Sequence, residues 1–214
     1  MLIINLTALL QFSFTALTSV FFLVDPIGVI PTFLAMTVGD DPAERRRMAK
    51  RASWTCLIAL TTFAVAGKLI FKAFGITLPA FRIAGGVILL LIGLEMLQAR
   101  RSQTKETPKE TEECVEKEDV GIIPMGVPML AGPGAISTVM VMMSGVPTWW
   151  YTLPVFGAIG ITALSSYWIL AGAERVRHRL GETGIRILAR LMGLVLTAIA
   201  IQFILDGVKD AKVL

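Results

Sequence analysis

Two short strings in this chain carry residue types that could do chemistry. Asp25-Pro26-Ile27-Gly28 lies inside one apolar run, and Gly132-Pro133-Gly134 lies inside another. Proline lacks an amide hydrogen and clashes with the preceding helical turn, and glycine is a weak helix former. Each string therefore predicts a helix that stops and restarts. A helix restarting at Pro26 or Pro133 presents unpaired N–H groups and the positive end of its dipole, which suits a carboxylate. Carbonyls that lose their donors before each break suit an ammonium group or a cation such as Na+. Two such breaks facing each other would hold a small zwitterion.

Asp25 is the most informative single residue. A carboxylate at membrane depth is costly unless paired, hydrated or protonated, and it marks a functional site by default. It could bind a cation, carry a coupling proton (H+), or cap the following half-helix. The second string has Gly132 at the matching place, so no second acid stands opposite it. Pro31 follows the first break by one turn, and Ser137 and Thr138 follow the second. These hydroxyls could line a polar path or bond to neighbouring helices. Arg82 could snorkel to an interface, or pair with Asp25 or a substrate carboxylate. Glu95 stands near the end of the same apolar segment.

The elements that must position these residues are membrane helices. Of 214 residues, 55% are hydrophobic and 17% are charged, and the mean hydropathy is +0.72. A soluble domain carries about 25% charged residues and could not hide this much apolar surface. The composition excludes a soluble globular domain, a disordered chain and a disulfide-rich secreted domain. The net charge of +4 resides in short segments between apolar runs, which fits membrane topology better than nucleic-acid binding. Cys56 lies in an apolar run and Cys114 in a charged one, so no disulfide is expected. His178 is the single histidine, so neither is a histidine-based metal site.

A spanning helix needs roughly 20 apolar residues, and six such segments are legible. The first run, residues 2–38, contains Asp25 as its one charge. As a straight helix it would be more than about 50 Å long at 1.5 Å per residue, so it must break, tilt or emerge. It has no positive n-region and is read as a span rather than a cleavable signal. The others are 52–71, 78–97, 122–146, 149–172 and 187–205. Trp149, Trp150 and Tyr151 read as an interfacial aromatic belt, and Gly85, Gly86 and Gly93 as a close-packing face.

Basic residues concentrate in three segments read as loops, 39–51, 99–121 and 173–186, all on one side of a six-span chain. The positive-inside rule makes that side cytoplasmic and puts both termini outside a plasma (inner) membrane. The middle loop is acidic as well as basic and has no apolar periodicity, so it reads as a linker.

That linker separates two halves of three spans, 1–98 and 122–214. A shift of 107 places Leu23 on Leu130, Pro26 on Pro133 and Val29 on Ile136. A shift of 108 places Arg82 on Arg190 and Gly85 on Gly193. With an odd number of spans per half, such a repeat is inverted. The expected fold is an all-α membrane protein of six helices, an inverted 3+3 repeat with the first and fourth spans broken. Paired interrupted spans are the best sequence pointer to a transporter's binding site.

The strings D-P-I-G-V-I-P-T-F, F-R-I-A-G-G-V-I-L-L-L-I-G-L-E-M-L and P-M-L-A-G-P-G-A-I-S-T-V resemble signatures of the MarC family of bacterial and archaeal inner-membrane proteins. The middle loop is longer and more acidic than that pattern. The resemblance implies a multi-pass plasma-membrane protein, and its related archaeal branch, SnatA, implies transport of small neutral amino acids such as glycine and alanine. On this reading Asp25, Pro26, Gly28, Pro31, Gly132, Pro133 and Gly134 match the family strings, with Arg82 and Glu95 in the second.

The expected function is secondary transport of a small neutral amino acid, or a similar polar solute, by alternating access. A passive channel and a drug or metabolite exporter are the alternatives. An enzyme is not expected: Asp25 has no acidic partner at membrane depth, and neither HExxH nor a phosphate-binding GxxxxGK[ST] occurs. The expected partners are lipid and a small-molecule substrate, with a homo-oligomer compatible and nucleic acid not. No cofactor is expected beyond a coupling ion, H+ or Na+.

Overall fold

The computed structural model describes residues 6–37, 39–98, 121–123, 125–146 and 148–211. Nearly all of the charged linker, with Cys114, lies outside the described residues. In chain order the helices are α1 (Leu6–Val24), α2 (Ile30–Met36), α3 (Pro42–Phe74) and α4 (Leu78–Leu97). A π-type turn (Met125–Leu130) leads into α5 (Pro133–Ser144), and a 3-10 turn (Trp149–Tyr151) into α6 (Thr152–Ala171). The last element, α7 (Ala173–Asp210), is broken at Gly181, whose φ is 63°. Among the described residues there is no β-strand.

Four helical stretches are long and apolar enough to cross a membrane: Leu6–Val24, Leu78–Leu97, Trp149–Ala171 and Thr183–Asp210. α5, with 12 residues, is apolar but shorter. The long apolar first run breaks after Val24, as its length demands. Two basic segments expected as loops are instead helical. Residues 42–51 belong to α3 because Asp41 accepts a hydrogen bond from the Glu44 N–H at 2.7 Å and Pro42 occupies the first turn. That cap satisfies an end donor, and the following Ala, Glu, Arg, Met and Lys residues all favour helix. Residues 173–186 are helical on both sides of Gly181.

The outer surface is apolar. Phe14, Leu69, Phe74 and Trp168 are each more than 60% exposed, and exposed Leu and Ile side chains run along α6 and α7. So much exposed apolar surface marks a lipid-facing protein. Trp149 and Trp150 stack at 3.6 Å and are exposed, while Tyr151 meets the edge of Phe12 on α1.

Inside, α1 packs on α5 and α6, α3 packs on α5, α6 and the π-type turn, and α4 packs most extensively on α7. The α4–α7 seam depends on small residues. A Cβ on Gly93 would stand 2.9 Å from the Thr197 nitrogen and 3.0 Å from the Gly193 carbonyl oxygen. One on Gly193 would stand 2.9 Å from the Gly93 carbonyl oxygen. The two backbones touch there, running antiparallel. Gly93→Ala should therefore push the helices apart and destabilise the protein by about 1–3 kcal/mol, the usual cost of overpacking. A lower unfolding temperature in detergent would register it. Gly157→Ala, where nothing lies within 4 Å of the added carbon, should leave that temperature unchanged.

Candidate functional site

The first break is built around Asp25. Its backbone is in the left-handed region, φ 48°, and its side chain is 1% exposed. Aspartate tolerates that region better than most residues. The Asp25 Oδ1 accepts the Gly28 N–H at 3.0 Å and so caps the turn of residues 26–29, whereas α2 itself starts on Val29 without a side-chain cap. Pro26, which is buried, has no N–H to give the Phe22 carbonyl. The helical ladder resumes through a long bond from the Val29 N–H to the Asp25 carbonyl, 3.3 Å. Gly28 is tightly enclosed: a Cβ there would fall 2.0 Å from Asp25 Oδ2 and 2.7 Å from Met96 Cε on α4. Pro31 points outward and is exposed.

The second break has a different construction. Val127 is extended, the Ala131 N–H reaches back five residues to Gly126, and Gly132 forms the N-cap of α5 without a side-chain cap. Pro133 takes the first helical position, and Gly134 and Ala135 behind it are buried. By contrast, α3 and α4 start under side-chain caps from Asp41 and Thr77. α2, α6 and α7 also start without a side-chain cap, but at the α5 start Gly132, Gly134 and Ala135 are all buried, where unsatisfied N–H groups matter most.

One face of α4 carries both breaks. Leu89 lies against Gly134, so closely that a Cβ there would be 2.2 Å from Leu89 Cδ2. Gly85 touches Ser137 and Met96 touches Gly28. Residues 85, 89 and 96 share a helix face, and positions 89 and 96 are about 10 Å apart along the axis at 1.5 Å per residue. Glu95 neighbours Met96 and so stands at the level of the first break.

Two sets of hydroxyl groups stand out. Ser13, Thr18, Thr37, Thr62, Ser144, Ser165, Ser166 and Thr197 donate to the carbonyl four residues earlier in their own helix. Ser53, Ser137, Thr138 and Thr162 do not, although each is buried. Among the described residues none of these four hydroxyls has a partner. A buried hydroxyl without a partner is costly, and Ser137 and Thr138 occupy the first two turns of α5, just past the uncapped start.

A family model for MarC family integral membrane proteins matches residues 10–212. The chain belongs to the MarC family. A UPF0056 membrane protein of Pyrococcus horikoshii is 42% identical over 91% of this chain and 92% of its own length. One from Methanocaldococcus jannaschii is 40% identical over 94% and 98%. The membrane protein YhcE of Escherichia coli is 34% identical over 88% of each. No solved structure matches.

In this MarC-family protein Arg82 is not part of the arrangement around Asp25. It pairs with Asp210 at the end of α7, and it precedes Met96 by 14 residues, about 21 Å along α4. The sequence option of an Arg82–Asp25 pair is therefore corrected: a partner on the facing helix end satisfies the guanidinium. Among the described residues, Ser53 and Thr162 are the unpartnered buried hydroxyls that sequence reasoning missed. A lone serine or threonine in a helix gives no signal until its burial and lack of a partner are seen.

At the basic end, Arg45 ties three elements together. Its Nε donates to the Thr37 carbonyl at 3.3 Å, and its Nη1 meets Glu174 Oε2 at 3.2 Å. A hydrogen bond from Arg177, with the charges of Arg177, Arg45 and His178, holds the Glu174 carboxyl below its ordinary 4.5. A carboxyl whose pKa is lowered by folding stabilises the fold fully above the ordinary value and loses that contribution as pH falls through the folded value. Acidification below 4.5 should thus loosen the segment joining α2 to α3. Hydrogen-exchange protection there, corrected for intrinsic rates, should fall with acid in the native protein and show no such step in Glu174→Gln.

Proposed function

We propose that this protein is a secondary transporter of a small neutral amino acid, or a closely similar polar solute, working by alternating access in the plasma membrane. The observation that carries the reading is the pair of interrupted segments on one face of α4, one built on a buried carboxylate and the other on an uncapped helix start. Interrupted spans paired in this way are the hallmark of midplane binding sites in transporters.

In this reading the α5 start receives the substrate carboxylate, because its N–H groups and dipole are directed there without a competing cap. Ser137 and Thr138 supply hydroxyls to the bound solute. Asp25, with carbonyls of the first break, takes the ammonium group or the coupling ion, Na+ or H+. Glu95 stands close enough along α4 to share that charge balance, and Arg82 braces the far end of α4 against α7.

The chain then makes six passes. α1 with α2 forms the first, and residues 125–144 form the fourth by joining the π-type turn to α5. The apolar part of α3 completes the first half with α4, and α6 and α7 complete the second. The halves form an inverted repeat, the basic end is cytoplasmic, and both termini are outside. The glycine seam between α4 and α7 joins the third and sixth passes and gives the two halves a surface about which to rock.

A counterflow experiment separates a carrier from a channel. Proteoliposomes loaded with unlabelled alanine should transiently concentrate external labelled alanine with no ion gradient imposed. A channel would let the label equilibrate without overshoot, and that result would exclude alternating access.

A further inference from the structure

An open groove of about 340 Å³ lies on the membrane-facing surface between α3 and α6. Lys50, Ser53 and Leu57 line it from α3, and Gly160, Ala163 and Tyr167 from α6. Lys50 stands at its basic end, and Leu57 lies about 10 Å further along the helix at 1.5 Å per residue. Beyond that end the trough is apolar. Gly160 has open space where a side chain would be: nothing lies within 4 Å of an added Cβ. Trp54 and Leu164, both more than half exposed, flank the opening and turn it toward lipid.

Two polar features sit at the mouth. Lys50 is exposed and has no acidic partner among the described residues, and Arg46, one turn earlier on the same stripe, is exposed too. Ser53 lines the groove with its side chain 5% exposed, and its hydroxyl has no partner among the described residues. A wholly apolar occupant would leave this hydroxyl unsatisfied. A free anion would leave the trough empty. An amphiphile with an anionic head and an acyl tail meets both demands at once.

We propose that this groove is a binding site for an anionic glycerophospholipid of the leaflet at the basic end. Its phosphate is held by Lys50 and the Ser53 hydroxyl, and one acyl chain lies over Gly160 and Ala163. Basic pockets between spans at this level are suited to anionic headgroups. The site is separate from the two breaks, so it does not depend on the transport reading.

The test is native mass spectrometry of the full chain in detergent, titrated with dioleoylphosphatidylglycerol or dioleoylphosphatidylcholine. The native protein should retain the anionic lipid in preference to the zwitterionic one. Lys50→Gln should weaken phosphatidylglycerol retention about fivefold, the effect of removing one basic residue near an anionic surface. Gly160→Leu should abolish it, because the added side chain enters the trough from a Cβ that has nothing within 4 Å. Lys72→Gln, in the last turn of α3 at the opposite end, should change nothing. Equal retention of the two lipids, or native retention in both Lys50→Gln and Gly160→Leu, would overturn the proposal. A lipid-free dimer that Gly160→Leu dissociates would also overturn it, by placing a second copy in the groove.

Discussion

Gly28→Ala should lower initial uptake by at least about tenfold, the consequence of raising the barrier by about 1.4 kcal/mol, and should destabilise the fold by about 1–3 kcal/mol. The added carbon would lie 2.0 Å from one oxygen of Asp25 and 2.7 Å from the terminal methyl of Met96. Met96 is the end of a flexible side chain and can move. The carboxylate cannot move as freely, because its other oxygen holds the Gly28 N–H at 3.0 Å. Relief requires opening that hydrogen bond or displacing the turn from α4. Both disturb the residue through which we place charge recognition. Initial uptake in proteoliposomes and the unfolding temperature in detergent measure the two effects. Native values for both would show that the turn is neither tight nor functional.

The second large effect is at Asp25, where two substitutions separate structure from charge. Asn retains an acceptor for the Gly28 N–H and tolerates positive φ, so Asp25→Asn should keep stability within about 1 kcal/mol of native. It removes the carboxylate's charge, and gradient-driven accumulation should fall by at least about tenfold, the equivalent of about 1.4 kcal/mol in coupling. Asp25→Ala removes the cap as well and leaves a residue unsuited to the left-handed region. It should lose about 1–2 kcal/mol of stability along with accumulation. Unfolding temperatures and accumulation ratios for the pair measure both expectations. Native accumulation by Asp25→Asn would reduce Asp25 to a cap.

The residues that break the chain were legible because backbone chemistry imposes the breaks. Pro26 and Pro133 stop a helix in any surroundings, and a 37-residue apolar run cannot cross a bilayer straight. Residues 78–97 were legible as a helix for a related reason: Thr77 caps the start, Pro79 suits the first turn, and the interior is continuously apolar. The arginine-rich residues 42–51 and 173–186 are helical where their charge alone suggests loops. Charge predicts exposure to water, and a helix that extends beyond the membrane is exposed just as a loop is. Arg82 was open to several partners because its choice depends on Asp210, 128 residues later in sequence. The quiet hydroxyls were hardest. Whether a serine or threonine bonds its own helix depends on its rotamer, and no local pattern separates Thr162 from Thr197.

The most direct test of the central claim is uptake of radiolabelled glycine and alanine into proteoliposomes of the native protein under imposed sodium, proton or electrical gradients. Accumulation above equilibrium, driven by one of these gradients and abolished when it is collapsed, is the result this account requires. Folded, correctly inserted protein that accumulates neither amino acid under any gradient would contradict the assignment of the two breaks as a coupled zwitterion site.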